Sequence, residues 1–182
     1  MHYAPHDYQK AITDFIVNQA CVGIFADPGL GKTAATLDAF MRLKRMGLVK
    51  RALVIAPLRV AYNVWPDEVR KWDEFGGIRA LIVHGKNKLQ NLTDPRADIH
   101  IINPEGLEWL LRNKASLPST SPTQTTAAQR PKIELMDGFW DMLIVDESTK
   151  FKHTNTKRFK ILSPWLTRFA RRVILTGSPT PN

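Results

Sequence analysis

Val22-Gly23-Ile24-Phe25-Ala26-Asp27-Pro28-Gly29-Leu30-Gly31-Lys32-Thr33 is the stretch that decides the fold. Its first part, 22–26, is a short apolar run of the kind that forms a strand inside a sheet. Its second part sets two glycines, a lysine and a threonine at the mouth of a helix-like segment, 32–46, with Gly47 as its C-cap. Glycines let backbone N–H groups turn inward around phosphate oxygens. A helix N-terminus adds its partial positive charge. Lys32 can reach the β- and γ-phosphates, and the Thr33 hydroxyl can bind magnesium. The stretch therefore reads as a phosphate-binding loop for a nucleoside triphosphate, ATP with Mg²⁺. Pro28, Gly29, Leu30, Gly31, Lys32, Thr33 and Ala34 form the expected cradle. The general loop pattern begins with Gly and this one begins with Ala26, but the tighter form A-x-x-G-x-G-K-T fits in full. A plainer reading is a Gly-rich strand–helix turn with an exposed lysine. An acidic partner downstream decides against it.

That partner is Asp146-Glu147, directly after the apolar run Met142-Leu143-Ile144-Val145. Carboxylates at the end of a buried strand are costly unless they bind something. In open α/β sheets ligands sit at the carboxyl ends of the strands. Asp146 is expected to hold Mg²⁺ together with Thr33. Glu147 is expected to orient and deprotonate the attacking water, which makes Lys32 and Glu147 the catalytic pair. The plainer alternative is a pair of acids capping a helix.

Outward from these anchors, short Val-, Ile- and Leu-rich runs recur at 52–56, 80–84, 99–103 and 173–176. All six runs lack polar alternation, as strands buried on both faces do. Helix-like segments separate them, at about 7–19, 32–46, 60–72, 104–112 and 155–170. Pro66 predicts a late start or kink in the third, and Pro164 a break in the last. The alternation predicts a doubly wound α/β fold with three layers and a mostly parallel sheet. Residues 116–131, rich in Ser, Thr, Pro and Gln, read as a flexible insertion.

The chain has 182 residues, enough for one domain with one good core. No apolar run approaches the ~18–20 residues of a membrane span. The start carries no signal-peptide pattern. Cys21 is the only cysteine, which excludes a disulfide framework and a Cys-based metal cluster; beside a strand it reads as plain core. These features predict a soluble, cytoplasmic protein. The net charge is +9, and 148–182 holds eight Lys and Arg with no Asp or Glu. Such asymmetry points to an anionic partner, nucleic acid first, against the simpler reading of a solvated basic face.

Taken in order, the motifs resemble the first RecA-like lobe of a superfamily-two helicase or translocase, nearest to the Swi/Snf-like branch in its phage and bacterial forms. The resemblance covers nearly all of 1–182. Tyr8-Gln9 looks like the adenine-reading Q motif, and Asp27 to Thr33 like motif I. Ala56-Pro57-Leu58-Arg59 resembles motif Ia, and Ile102-Asn103-Pro104-Glu105 stands at motif Ib. Asp146-Glu147-Ser148-Thr149 occupies the place of the Asp-Glu-x-x box. Thr176-Gly177-Ser178-Pro179 resembles motif III. The resemblance implies an RecA-like P-loop NTPase lobe, binding ATP and Mg²⁺ and coupling hydrolysis to movement on DNA. It implies double-stranded DNA without sequence preference, met by Pro57, Leu58, Arg59, Asn103 and Glu105, with Lys150 and Lys152 as a basic rim. Thr149, Thr176, Gly177 and Ser178 would couple the ATP site to the rest. Many relatives have His where Thr149 stands, so Thr149 would serve in its place.

Nothing in the sequence matches the second RecA-like lobe and its arginine finger, as in a truncated form or a split gene product. That lobe is then a partner in cis or in trans, and this chain alone is expected to bind ATP with weak hydrolysis. Glu105 fits phosphate poorly and could instead cap the helix near Pro104. Trp65 and Trp72, at helical spacing, read as core rather than as base-stacking platforms. Two other readings were weighed. A GTPase-like switch would show Asn-Lys-x-Asp, and Asn87-Lys88-Leu89-Gln90 lacks the Asp. A non-catalytic nucleic-acid-binding or regulatory module on the same fold stays open.

Overall fold

The computed structural model describes residues 1–112, 139–147 and 157–177. The expected insertion at 116–131 lies outside them, as do Thr149, Lys150, Lys152 and Ser178. Six strands run as β1 (Cys21–Phe25), β2 (Ala52–Ile55), β3 (Ala80–Ile82), β4 (Ile99–Ile102), β5 (Met142–Asp146) and β6 (Arg171–Thr176). Their order across the sheet is β1-β6-β5-β2-β4-β3, and every pairing is parallel. Among the described residues six α-helices accompany them: α1 (Asp7–Asn18), α2 (Lys32–Arg45), α3 (Leu58–Lys71), α4 (Lys88–Thr93), α5 (Leu107–Arg112) and α6 (Lys157–Leu162).

Two apolar layers sandwich the sheet, because parallel strands carry crossover helices on both faces. One layer joins Ile16 of α1, Leu37 and Phe40 of α2 and Trp65 and Val69 of α3 to Val22, Val54, Ile101, Ile144 and Val173. The other joins Leu92 of α4, Leu107 and Leu110 of α5, Leu162 of α6 and Trp140 to Leu53, Ile55, Leu143 and Val145. Burying each Leu, Ile or Phe of this kind contributes roughly 1.5–3 kcal/mol, so the two layers supply most of the driving force.

The three-layer α/β expectation is met, with corrections in detail. α3 begins at Leu58, earlier than expected, and runs on through Pro66; Pro66 has no N–H to give the Tyr62 carbonyl one turn back. The segment after Asn103 opens as a 3-10 turn, Pro104–Gly106, before α5. α6 gives way to a 3-10 stretch, Ser163–Arg168, with Pro164 in its first turn, as the proline predicted. Gly47 follows the C-cap Met46. There the N–H groups of Gly47 and Leu48 reach back to the carbonyls of Lys44 and Leu43, both at 3.0 Å.

Burial on both faces holds for β2, β4 and β5, whose residues are all buried. It fails for β1 and β6. Phe25 is 60% exposed and Ile174 43% exposed, because the second apolar layer stops at β5. Cys21, expected in the core, is the exposed first residue of β1. Arg171 and Arg172, expected just before the last strand, are its first two residues.

Candidate ATP site and nucleic-acid edge

Because the sheet is parallel, the carboxyl ends of β1, β6, β5, β2 and β4 lie along one edge. Phe25 pairs with Thr176, Leu175 with Asp146, Val145 with Ile55, and Ile55 with Ile102. Every expected site residue after β1 that the structure describes follows one of these ends or belongs to it.

The loop from Ala26 to Gly31 wraps the start of α2. Gly29 and Gly31 have φ of 86° and 69°, the left-handed region, and Gly31 is the N-cap of the helix. A Cβ on Gly31 would clash with Gln9 Nε2 unless that side chain moved, and its left-handed φ favours glycine in any case. Gln9 is itself held. Its Nε2 donates to the Leu30 carbonyl at 3.3 Å, and its Oε1 accepts from the His6 N–H at 2.9 Å. Tyr8 is 44% exposed, with its ring stacked on His6. Of the pair read from sequence as an adenine reader, Gln9 thus packs against the loop that would hold the phosphates, while Tyr8 stays exposed beside it in sequence.

α2 starts at Lys32, so its first N–H groups have no carbonyl one turn back. Thr33 is half-buried and Ala34 buried. Lys32 Nζ donates to the carbonyls of Ala26 at 2.5 Å and Asp27 at 2.9 Å, which folds the ammonium into the loop. Burial pulls the Lys32 pKa below the usual lysine range; the charges of Asp146, Asp27 and Glu147 act the other way.

Asp146 is buried at the end of β5. Trp65 Nε1 donates to its Oδ2 and the Glu147 N–H to its Oδ1, each at 2.9 Å. Burial pushes the Asp146 pKa above the usual carboxylate range. The Trp65 and Glu147 hydrogen bonds oppose this, the Glu147 charge adds to it, and Lys32 lowers it. Lys32 and Asp146 therefore feel each other's charge although β6 separates their strands. Glu147 has φ of 51°, rare for a residue with a side chain, and is exposed. That conformation costs on the order of 1–2 kcal/mol, which the surrounding structure must offset.

Thr176 is buried, and its carbonyl accepts from the Ala26 N–H at 3.2 Å. A Cβ on Gly177 would meet Pro28 Cδ and Cγ at 3.3 Å. The end of β6 thus leans directly on the loop between Ala26 and Gly31. Pro57 is the N-cap of α3, with Leu58 and Arg59 exposed in its first turn. Asn103 is buried after β4, and its Nδ2 donates to Glu105 Oε2 at 2.8 Å.

Two participants escaped the sequence reading. Trp65 reads as core from its spacing and is core, yet its ring N–H also holds Asp146. Arg158 stood unremarked in the basic stretch, and its Nη2 donates to Glu105 Oε1 at 2.7 Å. Trp72, the other tryptophan, is half-buried against Tyr3, with Nε1 donating to Glu68.

The family model of the SNF2-related domain matches residues 8–182. The chain belongs to the SNF2-related domain family. Among relatives of this SNF2-related chain, a putative protein p41 of Acyrthosiphon pisum secondary endosymbiont phage 1 is 29% identical over 99% of the chain and 36% of its own length. The ATP-dependent DNA helicase DDM1 of Arabidopsis thaliana is 29% identical over 88% of the chain and 19% of its own length. Among solved structures, the Sulfolobus solfataricus SWI2/SNF2 ATPase core in complex with dsDNA matches with a TM-score of 0.71 at 21% identity, over 98% of this chain and 33% of that one. The UvsW helicase of bacteriophage T4 matches with a TM-score of 0.65 at 14% identity, over 97% of this chain and 53% of that one. These structures share the SNF2 lobe's fold. The chain spans about a third or less of the length of the curated relatives it matches.

Proposed function

We propose that residues 1–182 form the ATP- and magnesium-binding lobe of an ATP-dependent DNA translocase, working with a second RecA-like lobe. The observation that carries this is the geometry at the carboxyl edge of the sheet: Gly29 and Gly31 turn left-handed to open α2, Lys32 Nζ folds onto the Ala26 and Asp27 carbonyls, and the buried carboxylate of Asp146 ends β5 two strands away. A buried carboxylate at a ligand edge, with a lysine and a glycine loop beside it, marks a candidate functional site. The residues fit the expected group. The left-handed Gly29 and Gly31 give the loop the backbone that lets N–H groups turn to a phosphate, and a bound phosphate offers Lys32 a better partner than two carbonyls. Magnesium takes only one or two protein ligands beside phosphate and water oxygens, so Thr33 and Asp146 suffice without a cage of acids.

In this reading each side chain has one task. Lys32 leaves the Ala26 and Asp27 carbonyls for the β- and γ-phosphate oxygens. Thr33 and Asp146 hold the metal, which when bound neutralises charge on the phosphates. Trp65 keeps Asp146 ionised and aimed. Glu147, fixed by its strained backbone, takes the proton of the attacking water. Gln9 and Tyr8 meet the base. Thr176 and Gly177, resting on Ala26 and Pro28, pass the state of the loop to β6, with Thr149 and Ser178 completing the link. Pro57, Leu58, Arg59 and Asn103 meet backbone phosphates at the same edge, with Lys150 and Lys152 as the rim. Support for duplex DNA comes from the helicase relatives and the dsDNA complex of the structural neighbour.

The test is ATP binding and hydrolysis by this chain, alone and with a second RecA-like lobe, with and without duplex DNA. Alone, the chain should bind ATP·Mg²⁺ and turn over slowly, since an arginine finger is worth about 10³–10⁵ in rate. With both additions hydrolysis should rise. Glu147→Gln in the two-lobe protein should retain ATP·Mg²⁺ and lose turnover. Failure to bind ATP rejects the reading, and ATP binding that DNA and a second lobe never convert to turnover favours the regulatory module.

A further inference from the structure

Glu105 is a puzzle at an edge meant for phosphate, since its charge repels one. Both of its carboxylate oxygens are engaged. Asn103 Nδ2 donates to Oε2 at 2.8 Å, and Arg158 Nη2 donates to Oε1 at 2.7 Å. The two donors come from separate elements, the end of β4 and α6. Glu105 and Arg158 line an open cleft of about 410 Å³ together with Pro104, Glu108, Lys157 and Ile161, and Asn103 reaches Glu105 from a buried position. Beside it, Lys157 Nζ pairs with Glu108 Oε2 of α5 at 2.6 Å, joining α6 to α5 along the same cleft.

An amide N–H and a guanidinium converging on two oxygens of one group form a receptor for an oxyanion in general. A phosphodiester presents two non-bridging oxygens in the same way. The Arg158–Glu105 pair is also cheap to open. Its side chains are 39% and 54% exposed, and exposed pairs are worth ~0.2–1 kcal/mol. The position suits a backbone track as well. The Ala56 N–H donates to the Ile102 carbonyl at 3.0 Å, which joins the chain just before Pro57 to the chain just before Asn103.

On the DNA reading above, we infer that Arg158 and Asn103 form a backbone-phosphate site and that Glu105 is its resident competitor, displaced when duplex DNA binds. Glu105 thereby lowers the resting affinity of the edge for anions. A phosphate that evicts it takes over both donors at once.

The experiment measures binding of this chain to a fluorescently labelled duplex of random sequence across a salt series, with a thermal melt for each variant. Glu105→Gln keeps the shape and removes the charge, and it should tighten binding by up to about fivefold, the worth of one exposed pair. Arg158→Ala should weaken binding and reduce the log–log salt slope by about one contact. Glu105→Gln should bring a smaller gain on the Arg158→Ala background, because the charged one of the two donors it competes for is then gone. Arg158→Lys, which keeps charge without the fork, stands in if the alanine variant melts early, and should keep the slope with lower affinity. Weaker or unchanged binding by Glu105→Gln overturns the inference, as does a gain that Arg158→Ala leaves undiminished. Wild-type chain that binds no duplex at low salt overturns the DNA reading and this inference with it. Salt-sensitive wild-type binding that neither variant alters overturns this inference alone.

Discussion

Lys32 and Asp146 each lose water on folding and each gain the other's charge, so their protonation is tied to the ligand they would share. Lys32→Ala should abolish measurable ATP binding in titration calorimetry while the circular dichroism spectrum stays native, because the ammonium touches only loop carbonyls. Unchanged affinity in the folded variant would remove Lys32 from the site. Trp65→Phe probes the other partner. Its ring N–H bonds the ionised form of Asp146 and so lowers a pKa that burial has raised. Without it that pKa rises further, and the acid limb of Mg²⁺-dependent nucleotide binding should move to higher pH. A limb that stays in place would assign Trp65 to packing alone. Sequence made the first residue legible and not the second. Lys32 announces itself through six neighbours in a row. The Trp65–Asp146 bond joins residues 81 positions apart, and helical spacing says only that Trp65 faces inward.

His100, at the second position of β4, shows how an element can carry a titration that no site uses. It is fully buried, accepts from Trp140 Nε1 at 3.0 Å through Nδ1, and pairs through Nε2 with the Asn91 carbonyl at 3.1 Å. With Nδ1 accepting, Nε2 carries the proton and donates, so the ring is held neutral. Burial lowers its pKa to about 4; the Asn91 carbonyl and Asp94 oppose this, and Arg51 assists it. A histidine depressed on folding adds stability that is complete above its unfolded pKa, near 6.5, and lost as pH falls toward 4. The loss integrates to on the order of 3 kcal/mol. Thermal melts should show a falling midpoint between about pH 6.5 and 4, flattened in His100→Gln; a flat wild-type profile would sink this. Elements themselves were largely legible, since apolar runs and capping residues act within a few positions. The short α4 was not, because six residues give too little periodicity to see. Exposure of Phe25 and Ile174 was not, because an apolar run does not say where the covering layer of helices ends.

Across the whole molecule the carboxyl ends of five strands gather parts drawn from nearly the full length of the chain, from Tyr8 to Gly177. The order of motifs along the sequence made that gathering foreseeable, since a parallel sheet brings every such end to one side. The adjacency of Glu105 and Arg158, 53 positions apart, depended on packing that no local pattern encodes. One feature of the sheet bears on motion. Among the described residues β1 is paired on one flank only, to β6, and one of its two faces is bare at Phe25. The strand that carries the phosphate loop is therefore held, like β3 at the other edge, by a single ladder. Backbone amides of β1 should exchange with deuterated solvent well before those of β2 and β5. ATP·Mg²⁺, by tying the loop to Asp146 across β6, should slow exchange in β1 and β6 together and leave β3 as it was. Protection confined to the loop would mean that the strand is already as firm as its neighbours. If the slowing reaches β6, nucleotide occupancy is felt as stiffness along an outer seam of the sheet, and loss of nucleotide loosens that seam first.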